Sequence, residues 1–318
     1  MLEEQIRQIV RAVLDQVQEG GGQQGQLATG TKEQLATEVK PAPESARQAP
    51  KANTYAPGDT GDDHDLEDLA AVDLQKEILV PSPADRAALE YFKQTTPARI
   101  GVWRSGPRPL TRTLLRFRAD HAIAQDAVFK EVSEEILSGF NLVRVQTLVE
   151  DKDQYLTRPD LGSRLSGPEL EKIRRECPRR PQVQVVIADG LSSKAVEANL
   201  ADILPALKQG LQVHNLQPGR EVFVKFGRVD VMKPIGMTLE AEVVVLLVGE
   251  RPGLGTSASM SAYLVYKPGP DTVVADYTVV SNIHNGGTPP AEAGAHLADV
   301  VNKIYTAKAS GVKLAMNQ

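Results

Sequence analysis

Apolar residues recur at spacings of three and four through Leu2, Ile6, Ile9, Val10, Val13, Leu14 and Val17, with Glu3, Glu4, Arg7, Arg11 and Asp15 between them. The pattern predicts a short amphipathic helix. Gly20, Gly21 and Gly22 end it, and a tract rich in Gln, Ala, Thr and Pro runs on to about Asp65, too polar to bury a core. Such a helix either folds back on its own domain or inserts its apolar face into a groove on another protein. The long tether favours the second.

From Leu66 the pattern becomes globular. Helical spacing covers Asp65 to Glu77 and, after Pro81 and Pro83, Ala84 to Lys93. Gly106, Pro107 and Pro109 break the chain, and Leu110, Leu114, Phe117, His121, Ala124 and Val128 then predict a helix from about Thr111 to Val128. A further helix covers Pro168 to Arg175.

Beyond it the period changes. Val183 to Gly190 is a continuous apolar strand ending in Asp189 and Gly190, with Ser192 or Ser193 placed to cap a helix from Lys194 to Lys208. Glu221 to Asp230 reads as a second strand, and Val243 to Gly249 as a third that runs into Glu250. Ala262 to Pro268 and Val273 to Val280 pair across the turn at Gly269, Pro270 and Asp271. In the closing helix Thr288 caps, Pro289 takes the first position, and Ala293, Leu297, Val300, Val301 and Ile304 face the core. The fold class is α/β: a Rossmann-like open sheet flanked by helices, preceded by a helical segment and a disordered N-terminal tether.

In such sheets ligands sit where loops leave the carboxyl ends of the strands. Three loops qualify, Asp189 to Ser193, Glu250 to Ser259 and Ser281 to Thr288, and all are built from small and polar residues that let a large ligand approach the backbone. A carboxylate at the end of a buried strand must be paired or reach a ligand. For Glu250 both readings stand: an ion pair with Arg251 or a neighbouring arginine, or a ligand contact. His284, alone in a glycine loop, reads as a structural hydrogen bonder rather than a catalyst.

Composition narrows the function classes. The 318 residues are 41% hydrophobic and carry a net charge of −5, with few aromatics, which gives no general reason to bind nucleic acid. No apolar run approaches a membrane span and the N-terminus lacks the order of a secretory signal, so a cytosolic chain is expected. The single cysteine, Cys177, rules out an internal disulfide and is read as incidental.

Arg99, Arg104, Arg108, Arg112, Arg116 and Arg118 fall together with no lysine or acid among them. Arg108, Arg112 and Arg116, four apart, are expected to share one side of a helix near its N-terminus. A phosphate site and an arginine-rich subunit interface both explain them, and the interface is preferred because nothing else hints at a polyanion.

Gly249, Gly253 and Gly255 have the wrong spacing for a dinucleotide fingerprint, and Pro252 interrupts them. No phosphate-binding G-x-x-x-x-G-K-S/T, zinc-protease H-E-x-x-H or hydrolase G-x-S-x-G occurs in the sequence. The residues describe a cofactor-shaped chain without a recognisable catalytic set.

RIGVWRSGPRPLTRTLLRFRADHA, YLTRPDLGSRLS, VQVVIADGLSS, LLVGERPGLGTSASMSAYLVY and SNIHNGGTPPAEA, in this order and spacing, closely resemble the ethanolamine ammonia-lyase small-subunit family, from about Thr96 onward. The resemblance implies an adenosylcobalamin-dependent radical conversion of ethanolamine to acetaldehyde and ammonia. It implies that substrate and catalytic residues belong to a large TIM-barrel subunit, with this chain packed over the cobalamin in a hetero-oligomer. No catalytic or metal-ligating residue is then expected here. Carried over position by position, the family's cobalamin contacts fall on Val229, Glu250 and Val279, Glu250 accepting hydrogen bonds from the amides that ring a corrin.

The resemblance also gives the N-terminal helix a role, since it is similar to the encapsulation peptides that route enzymes into bacterial microcompartments through a shell protein. The expected organisation is an encapsulation-type helix over residues 1–19, a linker over 20–64, a helical region contacting the large subunit over 65–135, and an α/β cobalamin-interface domain over 136–318. The alternative is a purely structural and targeting subunit that does not itself bind cobalamin.

Overall fold

The long apolar runs of the sequence are the central strands of a six-stranded sheet. The computed structural model of the chain describes residues 73–96 and 98–316; the expected N-terminal helix, its linker and the start of the Asp65 to Glu77 segment lie outside the described residues. In chain order α1 (Arg86–Thr95) is followed by a hairpin of β1 (Arg104–Ser105) and β2 (Arg108–Pro109), then α2 (Thr111–Phe129) and α3 (Glu134–Ser138). Next come β3 (Val143–Gln146), α4 (Lys152–Thr157), α5 (Gly167–Glu176), β4 (Val183–Ala188), α6 (Ser193–Val213) and β5 (Val222–Lys225). The chain continues through α7 (Met232–Leu239), β6 (Val243–Gly249), β7 (Met260–Tyr266), β8 (Thr278–Ile283), α8 (Pro290–Ala307) and α9 (Gly311–Met316).

The strands lie in the order β3-β5-β4-β6-β7-β8. The first four are parallel, β7 is added antiparallel to β6, and β8 antiparallel to β7. Alternate residues divide between two cores. Val185, Ile187, Val245 and Leu247 pack against Leu200, Ile203 and Leu207 of α6 and Leu297, Val301 and Ile304 of α8. Val186, Ala188, Leu246 and Val248 pack against Ile173 of α5 and Met232, Ile235 and Leu239 of α7. With both faces covered, β4 and β6 are buried along their whole length, and each Val or Leu so buried contributes about 1.5–3 kcal/mol.

Several boundaries differ from the pattern for local reasons. Glu221 to Asp230 is a strand only over Val222–Lys225, because Phe226 turns into a left-handed conformation at φ 59° and Val229–Val231 is a 3-10 turn. Val229 therefore opens that turn rather than ending a strand. Val273 to Val280 likewise becomes a strand only at Thr278, since the Asp276 carboxylate accepts the Val273 N–H at 2.9 Å and curls Val274–Asp276 into a 3-10 turn.

Strand β3 escapes the pattern because its alternation spans only four residues. Ser192, not Ser193, caps α6, its hydroxyl accepting the Ala195 N–H at 3.2 Å. Pro289 is the cap residue of α8, while the N–H of Thr288 donates to the Asn282 carbonyl at 3.0 Å. Residues 74–76 of the expected Asp65 to Glu77 helix form a turn, and α1 starts at Arg86 with Asp85 as its cap.

Candidate functional site

Because β7 runs against β6 and β8 runs against β7, the end of β6, the start of β7 and the end of β8 meet at one edge: Gly249 pairs with Met260, and Met260 with Ile283. This is also the carboxyl end of β4, so all three expected loops converge there. Strand parity decides which side chains share a face. Val248 opposes Ser261, and Tyr263 opposes Val279, so Val248, Glu250, Ser261, Tyr263, Val279 and Ser281 all project from the α5–α7 side of the sheet. There all but Val279 border a cavity of about 410 Å³ also lined by Tyr155, Leu191, Arg228, Val229 and Arg251.

Glu250 answers to none of the arginines. Its N–H is fixed by the Ser259 carbonyl at 3.0 Å, and its Oε1 accepts both the Ser261 hydroxyl at 2.5 Å and the Asn282 N–H at 3.0 Å. The second bond exists because of a bulge. Between Val280 and Ile283, β8 has two residues where β7 has only Ser261 between Ala262 and Met260, and Asn282 takes φ 61°, so its N–H leaves the ladder and turns to the carboxylate. Asparagine tolerates that conformation better than most residues.

Burial alone raises the pKa of Glu250. The bonds from Ser261 and Asn282, with the neighbouring Ser259 hydroxyl, outweigh it and hold the carboxyl below the ordinary glutamate value. No hydrogen bond from a described residue reaches Oε2.

Val229 is placed by a different device. The buried Asp189 carboxylate accepts the N–H groups of Gly190 at 2.9 Å, Phe226 at 2.9 Å and Gly227 at 3.0 Å, which folds the chain after β5. Tyr155 donates its hydroxyl to the Gly227 carbonyl at 3.1 Å, while the Arg228 guanidinium lies 4.1 Å over the Tyr155 ring and donates to its carbonyl at 2.7 Å. Lys152 sits 4.9 Å over the same ring, its pKa lowered by burial. Sequence reading passes over Tyr155, Arg228, Ser261 and Asn282. The alternation of MSAYLVY carries the one available signal, placing Ser261 on the face of Tyr263.

Val279 lies on the same face but outside the cavity wall, 46% exposed beside Tyr263. His284 accepts the Gly286 N–H on Nδ1 at 3.1 Å, so Nε2 carries the hydrogen and donates to Asn282 Oδ1 at 2.8 Å. It shapes the loop, as expected of a structural histidine. Cys177 is buried with its thiol pushed up to about 11, in keeping with an inert role.

The arginine cluster is divided. Arg108 lies in β2, not on the helix with Arg112 and Arg116. Arg99 and Arg116 both pair with Asp120, one helical turn after Arg116, and Arg112 pairs with Glu77 at 3.0 Å, so acids outside the arginine run neutralise these three. Arg99 also donates to the Leu254 carbonyl at 2.9 Å, tying this region to the loop after Glu250. Around them Tyr91, Phe92, Trp103, Leu114, Leu115, Ile123 and Phe129 are exposed. Among the described residues there is no group of three or more potential metal ligands, and no helix is long and apolar enough to cross a membrane.

The site thus offers a clamped carboxylate, two arginines, a serine hydroxyl and an apolar wall of Leu191, Val229 and Val248. It can bind a polar ligand, and among the described residues that line it there is no nucleophile–base pair.

Residues 86–315 match the family model described as ethanolamine ammonia-lyase light chain (EutC). The ethanolamine ammonia-lyase small subunit of Listeria monocytogenes serotype 4a (strain HCC23) is 52% identical over 249 residues, 78% of this chain and 85% of that protein. The protein of the same description from Clostridium perfringens (strain ATCC 13124) is 50% identical over 252 residues, 79% of this chain and 85% of the relative. That from Clostridioides difficile (strain 630) is 48% identical over 249 residues, covering 78% and 85%.

Proposed function

Because this chain belongs to the ethanolamine ammonia-lyase small-subunit family, we propose that it joins a large catalytic subunit and covers adenosylcobalamin at the interface between them. The observation that carries the reading is the clamped Glu250 carboxylate bordering a cavity at the ligand-binding end of the sheet.

The residues present fit such a group. Glu250 Oε2 has no partner among the described residues and can accept an amide N–H, Arg251 and Ser281 can donate to amide carbonyls, and Leu191, Val229 and Val248 suit the apolar edge of a macrocycle. A cavity of about 410 Å³ takes only part of a cobalamin. The rest must be enclosed by another chain, which is what a cover at an interface requires. Val279, exposed next to the cavity, would extend the contact through its methyl groups.

When bound, adenosylcobalamin supplies the radical chemistry of ethanolamine deamination to acetaldehyde and ammonia. This chain's part is to orient the cofactor through Glu250 and to keep water from its edge with Leu191, Val229 and Val248. In this reading the acid–base and radical steps fall to the large subunit, proposed to be a TIM barrel.

The exposed aromatic and aliphatic side chains of α1 and α2 are the contact surface proposed for the large subunit, because an apolar patch of this kind marks an interface. The amphipathic pattern of residues 2–17 is proposed to dock on a microcompartment shell protein, placing the enzyme inside a cytoplasmic microcompartment. Deleting residues 1–20 should then leave activity intact and abolish co-sedimentation with shells.

The test of the central reading is acetaldehyde formation from ethanolamine and adenosylcobalamin with this chain alone, the large subunit alone and the two mixed. Activity only in the mixture is expected. Full activity of the large subunit alone would reduce this chain to a structural and targeting component.

A further inference from the structure

Glu250 is held in a way that a merely solvated surface carboxylate is not. Both of its protein hydrogen bonds fall on Oε1, one from the Ser261 hydroxyl opposite Val248 and one from the N–H that the β8 bulge turns out of the ladder at Asn282. The side chain is thereby fixed through one oxygen, and the other is left for whatever enters the cavity. The clamp is made wholly of donors, so the group it presents is an acceptor without a proton to give. A primary carboxamide meets such an oxygen with an N–H. A carboxylate of the same shape meets it with a like charge, and like charges facing across a partly dry cavity oppose binding.

We propose that Glu250, fixed by Ser261 and the Asn282 amide, selects ligands whose contacting side chain is an uncharged carboxamide over those carrying a carboxylate there, with Ser261 as the positioning residue. This rests on the reading that Glu250 faces the periphery of a cobalamin, whose amides differ from the corresponding acids only in this feature. The other titratable and charged groups bordering the cavity are Arg228, Arg251, Tyr155 and Tyr263, with His284 on the loop after β8. Arg228 is engaged with Tyr155. Arg251 is the residue whose charge works against the selection, since it would welcome a carboxylate.

The experiment is a spectral titration of the assembled two-subunit complex with adenosylcobalamin and with its separated monocarboxylate derivatives, in which one peripheral amide is hydrolysed. Wild type should bind at least one monocarboxylate isomer about tenfold more weakly than the parent, the cost of a single mismatched polar contact. Glu250→Gln, whose amide can donate to a carboxylate, should bring the two affinities together. Ser261→Ala should fall between, with Ser261→Thr restoring the wild-type ratio.

The outcomes separate the two layers. If Glu250→Ala leaves affinity for the parent cofactor unchanged, Glu250 is not at the cofactor and the proposal falls with that reading. If Glu250→Ala weakens binding while every monocarboxylate isomer binds wild type as well as the parent, only the selection is refuted. Unchanged selectivity in Ser261→Ala refutes the positioning role. Should Ser261→Ala fail to assemble, the ratio measured for Glu250→Gln still decides the selection, and Ser261→Thr decides whether the hydroxyl is what Glu250 needs.

Discussion

The carboxylate of Asp189 accepts the backbone N–H of Phe226 at 2.9 Å, joining the end of β4 to the turn that follows β5. The same group takes the N–H of Gly227 at 3.0 Å, and from there the chain proceeds to Arg228 and Val229 at the cavity wall. A fully buried side chain thus shapes a site it does not line. Asp189→Asn keeps the volume but turns an NH₂ toward one of these donors, leaving a buried N–H without an acceptor. A loss of about 1–3 kcal/mol in urea unfolding is expected. Stability within experimental error of wild type would mean that the turn is held by other contacts.

Glu250 gives the protein a pH signature. Its folded carboxyl titrates below the ordinary glutamate value of 4.5, through hydrogen bonds from Ser261 and Asn282 that exceed the opposing effect of burial. A carboxyl depressed in the folded state stabilises it above the unfolded pKa and loses that contribution as pH falls through the folded one. The stability gap between wild type and Glu250→Gln should therefore be open at about pH 7 and narrower at about pH 4. Unfolding curves at the two values check it; a gap that widens in acid would reverse the sign.

Much of this arrangement was legible before the structure. Continuous apolar runs cannot be half-exposed, so β4 and β6 and the loops at their ends were identifiable, and with them Glu250. Short strands were not. Four residues of β3 carry too little alternation to separate from a turn, and β5 ends early because of Asp189, a tertiary contact with no local trace. The clamp on Glu250 was hidden for a similar reason. It needs the register of β7 and a bulge in β8, and a one-residue difference in pairing is invisible in composition or period.

Asp120 carries an unusual load for one carboxylate. It is 6% exposed and pairs with Arg99 and with Arg116, whose own side chains are 17% and 16% exposed, and Arg116 Nε and Nη1 have no other partner. Asp120→Ala leaves two half-buried guanidinium groups without the carboxylate that separates them. Removing one member of a buried ion network typically costs about 3–5 kcal/mol. The expected result is a loss in that range and, on the proposed contact of α2 with the large subunit, weaker binding of that subunit. An Asp120→Ala protein as stable as wild type would place these arginines in solvent.

Gly190 and Gly249 approach each other closely where β4 and β6 end side by side. Gly190 has φ 61°, and a Cβ there would stand 2.4 Å from the Gly249 carbonyl oxygen and 2.6 Å from Val248 Cγ2. The left-handed conformation alone costs an alanine about 1–2 kcal/mol. The clash adds to it, because one of the colliding atoms is backbone that also accepts the Leu191 N–H at 3.1 Å and precedes Glu250. Relief requires the strand ends to part, which moves Glu250 away from Ser261. Gly190→Ala is therefore expected to lose about 3 kcal/mol or more of stability and, on the proposed cobalamin-covering role, to weaken cobalamin binding as well. Gly269→Ala, beyond the far end of β7 with nothing within 4 Å of its added carbon, is the control and should change neither. Urea midpoints and cobalamin titrations of the two variants make the comparison. Equal behaviour would mean that the ends of β4 and β6 lie farther apart than the fold places them.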